Sequence, residues 1–229
     1  MKWRSLDESV VAEDCRPLRE ILAERKALIA RYVLPETQAI HVRVIAELRE
    51  SGMEKRAVAV GQKAPDFELK DHRGKIVSST EVLKLGPLVV CFFRGRWCPF
   101  CVTQLEAMNL ILPRIEGAEA SLLAISPQTV QQSFFMADQH QLRFPLLSDS
   151  GNEVARKFGL AYRVPEYQQA VYRRAFVNLP FANGDESWEL PVPATYVIGR
   201  DGVIQYAAVD PDYSQRPEPA EILAQLRGL

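Results

Sequence analysis

The chain has 229 residues, 47% hydrophobic and 25% charged, which suits a globular protein able to bury a core. Its 28 Lys and Arg against 29 Asp and Glu leave a formal net charge of −1. No basic stripe interleaved with aromatics is present, so composition argues against nucleic acid and anionic membrane surfaces as partners.

Residues 1–30 are charged throughout and lack the apolar core of a signal peptide. The longest apolar run, "PLVVCFF" at 87–93, is too short to cross a bilayer, and a cytoplasmic protein is expected. Within 5–50, Leu18, Ile21, Leu22, Leu28, Ile29, Tyr32 and Val33 recur at helical spacing. Pro35 breaks that helix and begins another, with Ile40, Val44 and Leu48 on its buried side and Ser51-Gly52 as its stop. This helical hairpin, residues 1–57, is an N-terminal extension expected to pack on the main domain or on a second subunit, as a homodimer contact.

Residues 58–229 alternate strand and helix signals. "DFELKDHRGKIVS" (66–78) reads as a β-hairpin around His72-Arg73-Gly74. "GPLVVCFFR" (86–94) is a continuous apolar run, the mark of a central strand buried on both faces. A helix should start near Cys98 and run to about Ile115, turning Leu105, Met108, Leu112 and Ile115 inward. "ASLLAIS" (120–126) is a second buried strand, and Ser126-Pro127 supplies an N-cap and first-turn proline for a helix through Gln141. "FPLLSD" (144–149) reads as a short strand and "NEVARKFG" as a short helix ended by Gly159. Residues 160–191 form an irregular insertion. In "ATYVIGRDGVIQYAAVD" two strands flank the turn Arg200-Asp201-Gly202, and "PEPAEILAQLRGL" closes the chain as a helix. The pattern gives an α/β fold with a central mixed sheet sandwiched by helices.

The chemistry concentrates in "FFRGRWCPFC", Phe92 to Cys101. Structural zinc needs about four ligands, and the chain has neither a second cysteine pair nor closely spaced histidines. His41, His72 and His140 stand alone on predicted helices or a turn, where solvated or satisfied side chains are expected. Cys91 within the strand, and Cys15, read as inert. Cys98 and Cys101 lie where a buried strand gives way to a helix, whose unpaired N–H groups and dipole favour a thiolate. With Arg94 or Arg96 nearby, such placement lowers a thiol pKa from about 8.5 to about 3.5–7.5. Trp97 is placed to cover the dithiol or to serve as packing, and Arg94 and Arg96 to bind an anionic group or to sit in solvent. No G-x-G-x-x-G follows a strand, and no flavin, haem or nicotinamide site is legible.

Over about 58–227 the chain resembles thioredoxin-fold proteins, in particular the peroxiredoxin-like branch of the alkyl hydroperoxide reductase/thiol-specific antioxidant (AhpC/TSA) family. The stretches "GQKAPDFELKDHRGKIVS", "GPLVVCFFRGRWCPFC", "ASLLAISPQTV" and "ELPVPATYVIGRDGVI" carry the likeness, while "WCPFC" resembles thioredoxin and glutaredoxin dithiols. The resemblance implies a cis Val192–Pro193 peptide facing the dithiol. Two departures stand out. With Cys101 in the peroxidatic place, Arg94 replaces the family's proline and Cys98 its Thr or Ser hydroxyl. The arginine expected before "TYVI" is replaced by Pro193-Ala194, with Arg94, Arg96 or Arg163 as substitutes.

The resemblance implies a thiol-dependent antioxidant oxidoreductase cycling a Cys98–Cys101 dithiol, re-reduced by thioredoxin, glutaredoxin or glutathione. In the peroxiredoxin order Cys101 attacks a peroxide and Cys98 condenses with the sulfenic acid. In the thioredoxin order Cys98 attacks a disulfide and Cys101 resolves the adduct. A third reading is a binding module with a vestigial dithiol and a docking hairpin.

Overall fold

The computed structural model describes residues 16–229; Cys15 and the 5–15 part of the expected first helix lie outside the described residues. In chain order, α1 (Leu18–Tyr32), α2 (Pro35–Glu50) and α3 (Met53–Arg56) precede β1 (Glu68–Asp71), β2 (Ile76–Ser78) and α4 (Ser79–Leu85). Then follow β3 (Leu88–Phe92), α5 (Pro99–Glu116), β4 (Ser121–Ser126), α6 (Val130–Gln139), β5 (Leu146–Ser148) and α7 (Glu153–Lys157). The chain continues through β6 (Ala161–Arg163), α8 (Glu166–Arg174), α9 (Leu179–Asn183) and β7 (Glu189–Pro191). It ends with β8 (Ala194–Ile198), β9 (Ile204–Val209) and α10 (Pro219–Leu226).

Seven strands form one mixed sheet in the order β2-β1-β5-β4-β3-β8-β9. β3 occupies the inner position its apolar run predicts, parallel to β4 and antiparallel to β8, with all five residues buried. Side-chain alternation then divides two cores. Val89 and Cys91 face α1, α5, α6 and α10 with Leu18, Leu105, Met136 and Ile222. Leu88, Val90 and Phe92 face α4 and α7 with Leu83, Val154 and Phe158. Burying the second face removes water from the strand entirely, so β3 is a rigid platform for whatever follows it.

The extension folds back on the domain. Leu18 and Leu22 of α1 enter the core beside α5, and α2 packs on α8. Leu28 and Tyr32, expected on the buried side, are instead exposed, while Leu18, Leu22 and the partly buried Ile29 make the contact of α1 with the core.

Three further expectations are corrected. The helix after β4 starts at Val130, because the Thr129 hydroxyl, not Ser126, accepts the first-turn amide of Gln132. The insertion 160–191 is ordered: β6 pairs antiparallel with β7, and α8 and α9 lie between them. Its inward aromatics, Tyr172 and Trp188, build a small core with Val164, Leu179 and Leu190. Finally, the Val192–Pro193 peptide is trans, since no cis peptide occurs among the described residues. The Val192 amide donates to Leu160 O at 2.8 Å, which holds the chain extended as it passes from β7 into β8.

Gly159 joins the extension to the sheet layer. Its φ is +72°, and a Cβ there would lie 2.2 Å from Arg56 O, next to the Val58 amide bonded to Phe158 O. Gly159→Ala is therefore expected to lower the unfolding free energy by about 1–3 kcal/mol, read by urea denaturation with the slope unchanged.

Candidate functional site

β3 delivers its chain to one end of the sheet, where Phe93 still pairs with Ile125 O at 2.9 Å. The turn into α5 runs through Gly95, whose φ of +145° lets Trp97 fold back; a Cβ would stand 2.7 Å from Trp97 Nε1. Cys98 is the N-cap residue of α5 in an extended conformation, and Pro99 takes the first helical position, where its missing N–H is harmless. One helical turn then brings Cys101 back over Cys98, with Sγ atoms 2.8 Å apart and both thiols free. Both residues are 0% exposed.

Arg94 governs this pocket. It is 3% exposed, donates from Nη2 to Cys98 Sγ at 3.1 Å and from Nη1 to the Tyr172 hydroxyl at 3.3 Å. Its guanidinium also lies 3.8 Å from the Tyr213 ring centroid and 5.0 Å from that of Trp97. Among the described residues no carboxylate forms an ion pair with it. A buried guanidinium without a carboxylate is costly unless another anion stands beside it, and the sulfurs are the anion on offer.

A second cation comes from a stretch the sequence did not single out. Arg216, between β9 and α10, donates from Nη2 to Cys101 Sγ at 3.5 Å and from Nε to Gln104 Oε1 at 2.6 Å. Gln104 in turn donates to Thr195 Oγ1 at 2.9 Å, which ties the arginine to β8. Arg216 and Pro193 line a groove of about 360 Å³ along β8 and β9. Pro193, after a trans peptide, thus shares a groove with the arginine that touches Cys101, and neither cysteine lines that groove.

The two thiols behave as one acid. Burial pushes Cys101 up, but the hydrogen bond from Cys98, the charges of Arg216 and Arg94 and the Arg94 backbone amide bring it well below the ordinary thiol range. Burial, with the proton held toward Cys101, keeps Cys98 well above that range. Arg94 supports the first charge, while a second would set two anions 2.8 Å apart in a dry site. Burial and then Arg94 lower His41 to about 4, so His41 beside Tyr213 and Tyr172 stays neutral near pH 7.

Of the remaining candidates, Arg96 and Arg163 fall outside this cluster and Trp97 borders it. Arg96 is exposed, with Nε bonded to Gln132 Oε1 at 2.7 Å, and Arg163 is exposed on β6. Trp97 is half-buried, 5.2 Å from Tyr172 between rings, and shields Arg94 rather than solvent. Burial pushes the Cys91 thiol up to about 12, consistent with inertness. His72 accepts from the Leu146 amide at 3.2 Å and His140 pairs with Glu106 at 3.0 Å, both satisfied within the core.

A family model described as "AhpC/TSA family" matches residues 60–207. Peroxiredoxin Q, chloroplastic, of Oryza sativa subsp. japonica is 30% identical over 149 residues, covering 65% of this chain and 58% of that protein's length. Thiol-disulfide oxidoreductase ResA of Geobacillus thermodenitrificans is 33% identical over 110 residues, covering 47% of this chain and 61% of that protein. The chain thus spans less than two thirds of the length of these relatives. Among solved structures, peroxidoxin BcpB from Mycobacterium tuberculosis superposes with a TM-score of 0.59 at 22% identity, over 74% of this chain and 97% of that one.

Arg94→Gln removes the one cation that hydrogen-bonds Cys98 among the described residues, so the first thiolate midpoint, followed by ultraviolet absorbance against pH, is expected to rise by about 1 unit or more. The sign of the linked stability follows from the lowered thiol. Its contribution is present above the unfolded pKa of about 8.5 and is lost as pH falls through the folded value. Chemical denaturation should show that pH dependence in the reduced wild type and not in Cys101→Ser.

Proposed function

The chain belongs to the AhpC/TSA family, and from that premise we propose that it is a thiol-dependent peroxidase working through Cys98 and Cys101. The Cys101 thiolate attacks one oxygen of a hydroperoxide; the O–O bond breaks and the sulfur becomes a sulfenic acid. The alkoxide or hydroxide leaves with a proton. The Cys98 thiol then condenses with the sulfenic acid, forming the Cys98–Cys101 disulfide and releasing water. A dithiol reductant of the thioredoxin or glutaredoxin class, or two glutathione thiols, returns two electrons and two protons.

One observation carries this order: two sulfurs, both 0% exposed and 2.8 Å apart, with the Arg94 guanidinium on Cys98 and that of Arg216 on Cys101. A hydroperoxide of a few atoms needs only a small opening to reach such a sulfur. A protein disulfide must bring its own backbone to the same point. Arg94 and Arg216 are the cations in contact with the two sulfurs, and in this reading they take over the charge stabilisation that the family assigns to an arginine this chain lacks before β8.

Disulfide exchange is the second reading, supported by Cys98 at the start of α5 and by the likeness to a thiol-disulfide oxidoreductase. Single-cysteine variants separate the two. Under the peroxidase order, Cys98→Ser treated with peroxide accumulates one dimedone-trappable sulfenic acid on Cys101, and Cys101→Ser consumes no peroxide. A Cys101→Ser protein that forms mixed disulfides through Cys98, with wild type indifferent to peroxide, would establish the exchange reading instead.

The disulfide is neutral, so closing it removes the Cys101 thiolate whose charge the nearby Arg94 balances. The peroxide-oxidised protein is therefore expected to melt several degrees below the reduced one by calorimetry, about 1–3 kcal/mol at the midpoint. Equal melting temperatures would refute the idea that the thiolate is what holds Arg94 in place.

A further inference from the structure

Arg216 stands between two voids. On one side lies the 360 Å³ groove bordered by Thr195, Ala207, Asp210 and Glu221. On the other, a cavity of about 160 Å³ separates the 214–216 backbone from Arg19, Leu22 and Lys26 of α1. Close packing thus does not fix the arginine, and beside its bond to Gln104 its seat on Cys101 depends on what anchors the 210–218 segment.

The anchors are polar and lead to the N-terminal extension. Lys26 of α1 donates to Asp212 Oδ2 at 3.2 Å and to Ser214 Oγ at 3.0 Å. The Glu218 carboxylate accepts the Leu18 and Arg19 amides at 2.9 and 2.8 Å, satisfying two first-turn N–H groups of α1. Glu218 is also the N-cap residue of α10, so one residue ties the starts of two helices. Arg49 of α2 pairs with Asp210 at 3.1 Å. Between these anchors, Tyr213 covers the Arg94 guanidinium and Arg216 reaches Cys101.

We propose that the N-terminal hairpin is a working part of the dithiol site: Lys26 and the α1 amides, through Asp212 and Glu218, hold the segment that seats Arg216 against Cys101. Asp212 and Glu218 are positioning residues, acting on sulfur only through Arg216 and Tyr213. The charged and titratable groups facing the pair are Arg94, Tyr162, Tyr172, Tyr213 and Arg216. Those facing Arg216 are Asp210 and Glu221 across the groove and Arg19 and Lys26 across the cavity.

The sign of one measurement distinguishes tethering from plain electrostatics. Removing a carboxylate near a thiol makes its thiolate easier to form, which lowers the midpoint. Losing the tether withdraws Arg216 and raises it. In the reduced full chain, titrated by thiolate absorbance without any peroxide, Arg216→Gln is expected to raise the midpoint by about 1 unit. Asp212→Asn keeps the local acceptor for the Ser214 amide but loses the Lys26 pair, and should raise the midpoint by about 0.3–0.7 unit; Glu218→Ala should do the same. Lys84→Ala, which breaks only a surface pair on α4, should leave it unmoved.

A fall in both Asp212→Asn and Glu218→Ala, or no change while Arg216→Gln shifts, overturns the proposal. So does an unshifted Arg216→Gln. Should Glu218→Ala fail to fold, Asp212→Asn decides alone, its partner Lys26 being largely exposed. Because no substrate enters the assay, failure here leaves the peroxidase reading to its own test.

Discussion

A guanidinium buried without a carboxylate is the constraint from which the site follows. Arg94 sits among Tyr172, Tyr213, Trp97 and Cys98, three aromatic rings and a sulfur. Hydroxyl and π-face contacts offset part of its lost hydration, each by about a kcal/mol. That falls short of the several kcal/mol an unpaired buried ion costs. A thiolate closes the gap, and the pairing works in both directions: the cation lowers the thiol pKa, and the thiolate makes the cation's burial tolerable.

Three separate stretches of chain converge to build this pair. The end of β3 fixes the Arg94 backbone, because a strand buried on both faces has no freedom to shift. Gly95 turns the chain and α5 supplies the sulfurs from its first turn. The insertion contributes Tyr172 from α8, and the segment after β9 contributes Tyr213 and Arg216. Aromatic residues in the insertion, taken one by one from the sequence, look like packing. In the structure Tyr172 both packs, in the small core with Trp188, and accepts a hydrogen bond from Arg94.

What could be read from the sequence was what local pattern controls. The "GPLVVCFFR" run predicts an inner strand, and the strand-to-"CPFC" junction predicts a dithiol at a helix start, because apolar continuity and proline at N1 are local signals. Hairpin and caps followed the same rule, except at Thr129, where Ser126-Pro127 offered a cap three residues earlier and the later hydroxyl took the role. The burial of Arg94 was not legible, since its hydroxyl partner lies 78 residues away. Arg216 was less so: 115 residues separate it from Cys101, and "SQRPEP" carries no periodicity to mark an inward side chain. Short elements in 160–191 escaped because each is too brief to show a period.

Replacing the family's hydroxyl by Cys98 changes what the site asks of the fold. A hydroxyl at that position can only donate a hydrogen bond to the reacting group, whereas a thiol donates and then reacts. With both sulfurs on one helical turn, passage from dithiol to disulfide needs no element to move. What does change is charge: one anion is lost from a dry pocket holding two cations. The oxidised state is thus set apart electrostatically more than geometrically, and the side chains free to respond are those that packing does not fix. Arg94 is enclosed by Trp97, Tyr172 and Tyr213, while Arg216 is half-exposed between two voids. The response to oxidation should therefore fall on Arg216, and through its segment on the contacts with α1.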